Sequence, residues 1–539
     1  MTADRWAAIA SACTTIVARV ALGAMVISLG LQGRQMCEAR PNAPASSEEE
    51  FLGAVRPAAA EASRILAAYH QSNPMPAERL LHVVCWRCKD RDFAEGHRQR
   101  LDRILTHIQG FYADWMERHG LGRRSVRLAR DDVGRLVVHE VVAEGVFADY
   151  GMPDGNRIRQ ECVPVLRAAG IDASRETVMI FTNLVDWNAD TGVFRHKSPY
   201  YAGGDAAGGT AWQLDSAELD ILNLGLREPI VDDGQYGRIS LGKHNSIFIG
   251  GIAHELGHAL GLPHCRERPD EAFLGTALMG SGNRTYGDEL RQEGKGSFLT
   301  LAHSLRLAAH PQFTGSVKGL GKDPDGRFER LALERGFDGS SFRLTGWIRS
   351  DIPVHAVIAY LDPQGGGDYD ARTCVGELST LADRGPEETG FSILCDAFVE
   401  DRTADMRLVA CHANGGITSL EMPYRVEGDG SVDVAAMQAG LACEGFLKAL
   451  DRDGPVAAAR ALELLPEDSL ARRLATAALA AASLDREQVD AAAVPADRRS
   501  IPLSRILPAD VSVGWARPTY DRLPRRDALL LAAGEGFET

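Results

Sequence analysis

The sequence predicts a multidomain protein in which an α/β domain with a twisted mixed sheet precedes an all-β sandwich and an α-helical connector. Its 539 residues suffice for three or four domains of ~150 residues each. Over 79–315, strand-like runs alternate with helical periodicity, which is typical of α/β domains. Over 316–432, short strand-like runs separated by Gly, Pro and Asp favour a β-sandwich. Ala- and Leu-rich helical periodicity predicts the connector, 433–500.

The composition is that of an ordinary globular protein, with 45% apolar and 25% charged residues. This excludes a mainly disordered, collagen-like or multi-span membrane protein. The formal net charge is −15, so there is no excess of cations to replace the counterions of nucleic-acid phosphates. We therefore expect no nucleic-acid partner.

The N-terminus carries the candidate targeting segment. Residues 20–31 form an uncharged apolar run behind Arg5 and Arg19, whereas about 20 apolar residues are needed to cross a bilayer. Residues 1–39 are therefore predicted as a signal peptide, with an uncleaved N-terminal anchor or the apolar helix of a cytosolic protein as alternatives. We expect a secreted, periplasmic or cell-surface protein, with no membrane span beyond that anchor. Residues 40–78, rich in Ala, Pro, Ser and Glu, are predicted as a linker or short pro-segment.

The cysteines permit disulfides without specifying their pairing. Of the ten cysteines, Cys13 and Cys37 lie in or beside the leader, which leaves eight. An even number in an exported chain allows bridges. Cys85 and Cys88 have CxxC spacing, but they lie in an apolar run without a second such pair. This favours a strand with ordinary cysteines over a zinc knuckle.

Hydrophobic spacing predicts the elements of the α/β domain. Strand-like runs lie at 80–85, 135–142 and 177–181, and a helix is predicted over 246–261. Between the first two strands a long helix is predicted, because apolar residues recur there at i, i+3, i+4 and i+7: Leu101, Ile104, Leu105, Ile108, Phe111, Tyr112, Trp115 and Met116.

Residues 254–264 read His-Glu-Leu-Gly-His-Ala-Leu-Gly-Leu-Pro-His and carry the candidate chemistry. His254 and His258 lie one helical turn apart, so both imidazoles project from one face and can bind one metal ion. Glu255 is rotated by about 100° from His254, which lets its carboxylate reach a metal-bound water without being a ligand. Gly261 allows a left-handed exit from the helix that returns His264 as the third ligand. Three imidazoles and one water make an open zinc site of the catalytic type.

The motif HExxHxxGxxH is complete, and with it the sequence resembles the metzincin superfamily of zinc peptidases over roughly 80–312. The resemblance implies an α/β catalytic domain with an active-site helix, one catalytic zinc ion and a methionine turn below the ligands. Met279 fits that turn, with a core methionine in a loop as the alternative. Some metzincins have a tyrosine ligand two residues after this methionine, where this sequence has Ser281. Tyr286 is the next candidate, as a contact for the oxyanion.

The resemblance implies a zinc-dependent metalloendopeptidase that acts on protein or peptide substrates. A zinc-activated water would attack the peptide carbonyl, with the three histidines as ligands and Glu255 as the general base. Metzincins bind the peptide as an added strand on a sheet edge. Residues 199–213, a glycine-rich stretch, are the candidate edge or rim, with a flexible surface loop as the alternative.

Other interpretations stay open on the sequence alone. One is a surface, adhesion or glycan-binding protein with an inactive zinc domain, and another is a zinc amidase that acts on a non-peptide amide. A third is a core helix with buried histidines. Asp232, Asp233 and Gly234 predict a turn rather than a calcium site, and the presence of structural calcium is undecided. No GxSxG or GxxxxGK[ST] motif offers another catalytic class.

The C-terminal end carries a second resemblance. Ser512-Val-Gly-Trp515, followed by Tyr520 and Asp521, resembles the opening strands of the NPCBM family of carbohydrate-binding β-sandwich modules. The match covers only 501–531, so residues 501–539 are predicted as a partial module. If the module binds glycan, glycoproteins become the expected substrates.

Overall fold

The computed structural model describes most of the chain between residues 48 and 479. The described residues are 48–365, 368–379, 388–442, 446, 449–450, 453–465, 472, 475–476 and 479. The predicted leader, 1–39, and the NPCBM-like segment, 501–539, lie outside them. Within these ranges, we find no helix with the length and apolar character that a bilayer crossing needs.

Helix α1, Glu48–Ser72, opens the described chain and lies within 40–78, the stretch predicted as a linker or short pro-segment. Its alanines favour a helix, and one helical face meets the core, which a flexible linker would not do; the pro-segment alternative stays a prediction. The buried side chains of that face are Phe51, Leu52, Ala59, Ala62, Ile65 and Leu66. Phe51 packs edge-on against Phe273, with 5.9 Å between the ring centroids. Helix α1 is therefore part of the first domain.

A five-stranded mixed sheet lies at the centre of the first domain. The strands of this domain are β1 (Leu81–Arg87), β2 (Val138–Val142), β3 (Thr177–Thr182), β4 (Val185–Asn188), β5 (Val193–His196), β6 (Tyr201–Gly204), β7 (Gly209–Leu214), β8 (Ile230–Asp233) and β9 (Gly237–Ser240). Five of them form the mixed sheet in the order β2-β1-β3-β7-β6. Its pairs are parallel except β6–β7, so an antiparallel strand, β6, forms one edge. The remaining four strands form a smaller sheet, β4-β5-β8-β9.

Long helices pack against the mixed sheet. They are α2 (His97–Arg118), α3 (Gly155–Ala168) and α4 (Leu241–Ala259). The buried face of α2 contains seven of the eight residues predicted for it, and the eighth, Phe111, is partly buried. Helix α4 begins before the predicted position 246, because the Oγ atom of Ser240 caps it by accepting the N–H of Lys243 at 3.0 Å.

Shorter elements close the first domain after the third histidine. They are β10 (Thr276–Ala277), α5 (Asp288–Arg291), β11 (Ser297–Phe298), α6 (Leu301–Ala308) and α7 (Pro311–Thr314). One face of α6 is buried, with Leu301, Leu305 and Ala308 among its buried residues.

The segment predicted as a β-sandwich, 316–432, contains two antiparallel sheets. Its strands are β12 (Arg327–Arg335), β13 (Phe342–Arg349), β14 (Val354–Pro363), β15 (Arg372–Val375), β16 (Glu377–Ser379), β17 (Glu388–Cys395), β18 (Arg402–His412), β19 (Ile417–Val426) and β20 (Val432–Asp433). One sheet has the order β12-β13-β17-β16, and the other has the order β15-β14-β18-β19-β20. Side chains from both sheets, such as Leu344, Ile393 and Leu408, form one apolar cluster between them.

Strand β14 joins the cores of the two domains. Val357, Ala359 and Leu361 belong to the apolar cluster of the sandwich, whereas Ile358 and Tyr360 belong to the cluster of the first domain. Successive side chains of a strand point to opposite faces, so β14 is buried on both faces. This explains why its sequence is a continuous apolar run rather than an alternating pattern.

The described part of the predicted connector, 433–500, is helical. It contains α8 (Ala435–Ala442) and α9 (Pro455–Leu462). Seven cysteines are buried free thiols in the described part of the chain: Cys85, Cys88, Cys162, Cys265, Cys374, Cys395 and Cys411. No pair of these seven forms a disulfide in this structure.

Candidate active site

Helix α4 carries the first two histidines of the motif and lies directly against the edge of the mixed sheet. Gly204 and Gly209, at the ends of β6 and β7, lie so close to the backbone of Ala259 that a Cβ atom at either position would overlap its carbonyl group. Gly257, on α4, lies against the sulfur atom of Met279 in the same way. Glycine at these positions therefore lets the helix pack closely against both the sheet and the methionine.

A tight bend follows helix α4 and returns the chain to the helical histidines. Gly261 has a φ of 84°, a left-handed conformation that glycine adopts without steric cost. Its N–H donates to the carbonyl oxygen of His258, and the N–H of Leu262 donates to that of Gly257, each at 2.9 Å. These hydrogen bonds close the bend that was predicted from Gly261.

The structure brings His254, His258 and His264 together around one point. The Nε2 atom of His258 lies 3.1 Å from Nε2 of His254 and 2.9 Å from Nε2 of His264. Zn–N bonds of ~2.0–2.1 Å in a tetrahedral site place the ligand nitrogens about 3.3 Å apart. Among the described residues, these three form the one group of His, Cys, Asp or Glu side chains that could hold a metal ion. The two distances from His258 are close to what a single zinc ion requires, and all three ligand atoms lie within 4.8 Å of one another.

Backbone carbonyls orient two of the imidazoles. Nδ1 of His254 lies 2.7 Å from the carbonyl oxygen of Leu278, and Nδ1 of His258 lies 2.8 Å from that of Leu262. Because a carbonyl oxygen only accepts, each Nδ1 carries the hydrogen and each Nε2 presents a lone pair to the shared point. Burial and the neighbouring His258 and His264 lower the pKa of His254 to about 3, so its ring stays neutral. Metal ligation requires neutral imidazoles, and the donor set therefore fits zinc.

Glu255 is buried beside the first of these histidines, with 7% of its surface exposed. Burial raises the pKa of its carboxyl group to about 7. Glu255 follows His254 on the helix, so its side chain is rotated away from the imidazole face by about 100°. The carboxyl group can therefore exchange protons beside the histidines without joining them as a ligand.

The turn around Met279 contacts both the helix and the segment of the third histidine. Met279 is fully buried and lies against Gly257 of α4. Its carbonyl oxygen accepts the N–H of Cys265 at 3.2 Å, next to His264 in the chain. The turn itself is closed by the N–H of Gly280, which donates to the carbonyl oxygen of Ala277 at 3.0 Å. The predicted methionine thus lies in a tight turn packed against the histidine segment.

Tyr286, the candidate contact for the oxyanion, lies in the core of the first domain. Only 3% of its surface is exposed, and its ring packs against Phe111 and His107 of α2, at centroid distances of 5.4 and 5.7 Å. This core packing does not support the oxyanion contact, which stays a prediction. Tyr286 follows the 3₁₀ turn Gly282–Arg284 and lies against Gly250 of α4.

Two tyrosines near the site were not predicted from the sequence. Tyr200 lies against Gly251, one helical turn before Glu255, and its hydroxyl donates to the carbonyl oxygen of Ile247 at 3.3 Å. Burial, followed by the neighbouring Glu255, raises the pKa of Tyr200. Tyr369 lies in the β-sandwich, and its ring stacks on that of His264. Tyr200 lies within the candidate edge, 199–213, although its contact was not predicted, and Tyr369 belongs to no local motif that could have signalled it.

The candidate edge, 199–213, forms a hairpin of β6 and β7. Strand β6 is the outer strand of the mixed sheet, and three of its four residues are exposed. Gly204 places the end of this strand next to Ala259 on helix α4. The stretch is therefore a sheet edge beside the histidine helix rather than an unstructured surface loop.

Asp233 has a structural role in the turn predicted at 232–234. One carboxylate oxygen accepts the N–H groups of Gln235 and Tyr236, at 2.8 and 3.0 Å. The other lies 3.1 Å from Nδ1 of His244, and both side chains are buried. These contacts explain the turn without a calcium ion.

Comparison with protein-family models and with curated proteins finds no match for this chain. Three crystal structures of OgpA from Akkermansia muciniphila are similar to it. Wild-type OgpA in two crystal forms has TM-scores of 0.54 and 0.53 and 26% identity, and the match covers 66% of this chain and 95% and 94% of OgpA. Catalytically inactive OgpA in complex with an O-glycopeptide substrate, glycodrosocin, has a TM-score of 0.53 and 25% identity, with 65% and 94% covered. The chain thus resembles in architecture an enzyme that acts on an O-glycopeptide.

Proposed function

We propose that this chain is a zinc-dependent metalloendopeptidase of the metzincin type that cleaves O-glycosylated peptides or glycoproteins. The observation that carries the proposal is the convergence of three imidazoles beside a buried carboxylate, with two of the rings oriented by backbone carbonyls. The similarity to OgpA supports the substrate class, because one of those structures contains an O-glycopeptide substrate.

Different residues of the site would hold the metal ion and transfer the proton during hydrolysis. His254, His258 and His264 would hold one zinc ion, which when bound acts as a Lewis acid towards the peptide carbonyl and a water molecule. Glu255 takes a proton from the attacking water and returns it to the leaving amine. The base and two of the ligands lie on one helix, so the backbone of α4 sets their relative positions.

Strand β6 supports binding of an extended peptide. As the outer strand of the sheet, β6 has backbone groups on one side that no neighbouring strand of the described sheet pairs. A peptide that pairs with this edge lies alongside the histidine helix, because Gly204 contacts Ala259. At Gly203 no atom lies within 4 Å of the position of a Cβ atom, so the strand surface is open there.

The test uses the full chain loaded with zinc and two peptides of the same sequence, one O-glycosylated and one without the glycan. We expect a chelator-sensitive cleavage of the glycosylated peptide that zinc restores, and slower cleavage of the other peptide. A chain that binds zinc but cleaves neither peptide would favour the alternative of a binding protein. Cleavage confined to non-peptide amides would favour the zinc amidase alternative.

A further inference from the structure

A tyrosine of the β-sandwich lies over the third histidine of the metal-binding group. The rings of Tyr369 and His264 are stacked, with 3.7 Å between centroids and 27° between planes. The Tyr369 ring also lies nearly parallel to that of His254, at a centroid distance of 6.3 Å. Tyr369 belongs to a 3₁₀ turn, Asp368–Asp370, in the connection between β14 and β15. The β-sandwich thus reaches the site of the other domain.

Contacts of the two residues that follow Tyr369 tie this turn to the chain just after His264. The guanidinium group of Arg266 forms an ion pair with Asp370, with Nη1 and Oδ1 3.1 Å apart. The backbone N–H of Arg266 donates to the carbonyl oxygen of Ala371 at 2.8 Å. Arg266 follows His264 by two residues. Its contacts therefore join the short segment that carries His264 to the turn that carries Tyr369.

A second arginine extends the connection to the sandwich. Nη2 of Arg268 lies 3.0 Å from Oδ1 of Asp396, and its Nη1 lies 3.1 Å from Sγ of Cys374. Arg268 is largely buried, which strengthens its charged contacts relative to a pair in water. The segment that carries the third histidine is therefore held by the sandwich along 266–268.

The three histidines differ in what orients them. His254 and His258 are oriented by carbonyl groups of their own domain, Leu278 and Leu262. His264 contacts Tyr369, which comes from the other domain. We infer that the β-sandwich completes the metal site, with Tyr369 as a positioning residue that holds the His264 imidazole in its ligating orientation. This inference rests on the proposed zinc function.

The physical basis is the restriction of ring rotation. His264 lies in the irregular segment after the bend, where no helix sets its side-chain direction. A stacked aromatic ring allows the imidazole to slide but opposes rotation out of the stacking plane. Contacts that orient a ligand typically change metal affinity by 10–100-fold. Tyr369 is half exposed, so we expect an effect at the lower end, about tenfold.

The experiment measures the zinc dissociation constant of the full chain by competition with a chromophoric chelator. Tyr369→Ala should raise the constant about tenfold, whereas Tyr369→Phe, which keeps the ring, should stay within about twofold of the wild type. Phe337→Ala is the matched control, because this aromatic residue is fully exposed at a hairpin tip of the same sandwich. Arg266→Ala, which removes the ion pair with Asp370, should weaken zinc binding in the same direction.

Circular dichroism and thermal unfolding show whether each variant is folded. If Tyr369→Ala does not fold, Tyr369→Leu and Arg266→Ala provide the measurement. Unchanged zinc affinity in the folded variants that lack the ring would overturn the inference. A wild-type chain that binds no zinc would instead overturn the proposed function, so the two failures are distinguishable.

Discussion

The imidazole of His254 is bound to the backbone of Leu278, 24 residues further along the chain, through an Nδ1–O distance of 2.7 Å. Leu278 immediately precedes Met279, whose own carbonyl oxygen accepts the N–H of Cys265. The carbonyl groups of two consecutive residues in one turn therefore bind the ring of His254, on the helix, and the backbone next to His264. The turn determines both the tautomer of His254 and the distance between helix and loop.

We expect Glu255→Gln to abolish peptide hydrolysis while zinc binding is retained. Glutamine keeps the shape of the side chain but cannot accept a proton from water, and general-base catalysis contributes about 10²–10⁴-fold. The measurement is kcat on an O-glycopeptide together with zinc content by elemental analysis. Glu289→Gln, at an exposed glutamate of α5, is the control and should have wild-type turnover. Turnover that survives in the Glu255 variant would remove this residue from the role of base.

We expect Gly209→Ala to lower the free energy of unfolding by about 3 kcal/mol or more. The new methyl group would meet the backbone of Ala259, which cannot move without displacing helix α4 from the sheet. The matched control is Gly203→Ala on the adjacent strand, where no atom lies within 4 Å of the added Cβ. That control should change stability by less than about 1 kcal/mol. Urea unfolding measures both, and equal stabilities would argue against close packing of hairpin and helix.

We expect Gly261→Ala to weaken zinc binding as well as stability. Gly261 has a φ of 84°, and an L-residue pays about 1–2 kcal/mol for this conformation. Relief of that strain would open the bend and move His264 away from the other ligands. Gly170→Ala has the same type of strain, at a φ of 79°, but lies at the end of α3. Gly261→Ala should lose at least as much stability as the control, because its Cβ would also lie 3.1 Å from Cα of Asp205. Only Gly261→Ala should lose zinc affinity; a loss of affinity in both would indicate a general effect of folding.

We expect the free energy of unfolding to fall as the pH is lowered from 7 to 5. Burial lowers the pKa values of His119, His310 and His355 to about 4, below the value near 6.5 in an unfolded chain. The unfolded state therefore binds more protons in this range. Each histidine lowers the free energy of unfolding by about 2 kcal/mol between pH 7 and pH 5. Glu271 acts in the opposite direction, because burial raises its pKa to about 7. Urea titrations at both pH values measure the sum.

His119→Gln isolates the contribution of one histidine to the pH dependence of stability. Its ring lies 2.8 Å from Oγ of Ser304 and is fully buried, so glutamine removes the titration from a core position. The stability of the variant should depend less on pH than that of the wild type, by about 2 kcal/mol between pH 7 and 5. If the stability of both proteins changed equally with pH, the pKa of His119 would not be lowered as its burial predicts.

The local features of the site were predictable because backbone geometry repeats over short distances. One helical turn separates His254 from His258, and a glycine bend of three residues returns His264, so their approach depends on neighbours in the chain. The same holds for the buried face of α2, which follows the 3.6-residue period. The helix over 48–72 was not predicted, because two of the six residues of its buried face are alanines and the stretch has the Ala-rich composition of a linker.

Contacts between distant parts of the chain were decided by the tertiary structure. Met279 and Tyr286 are both close to the motif in sequence, yet one lies against helix α4 at Gly257 and the other is enclosed by α2. Tyr369 reaches His264 only because β14 is buried between the two domains. Spacing along a chain specifies which side chains share a helical turn, but the packing of whole elements determines which surfaces meet, and that packing depends on all of the buried side chains together.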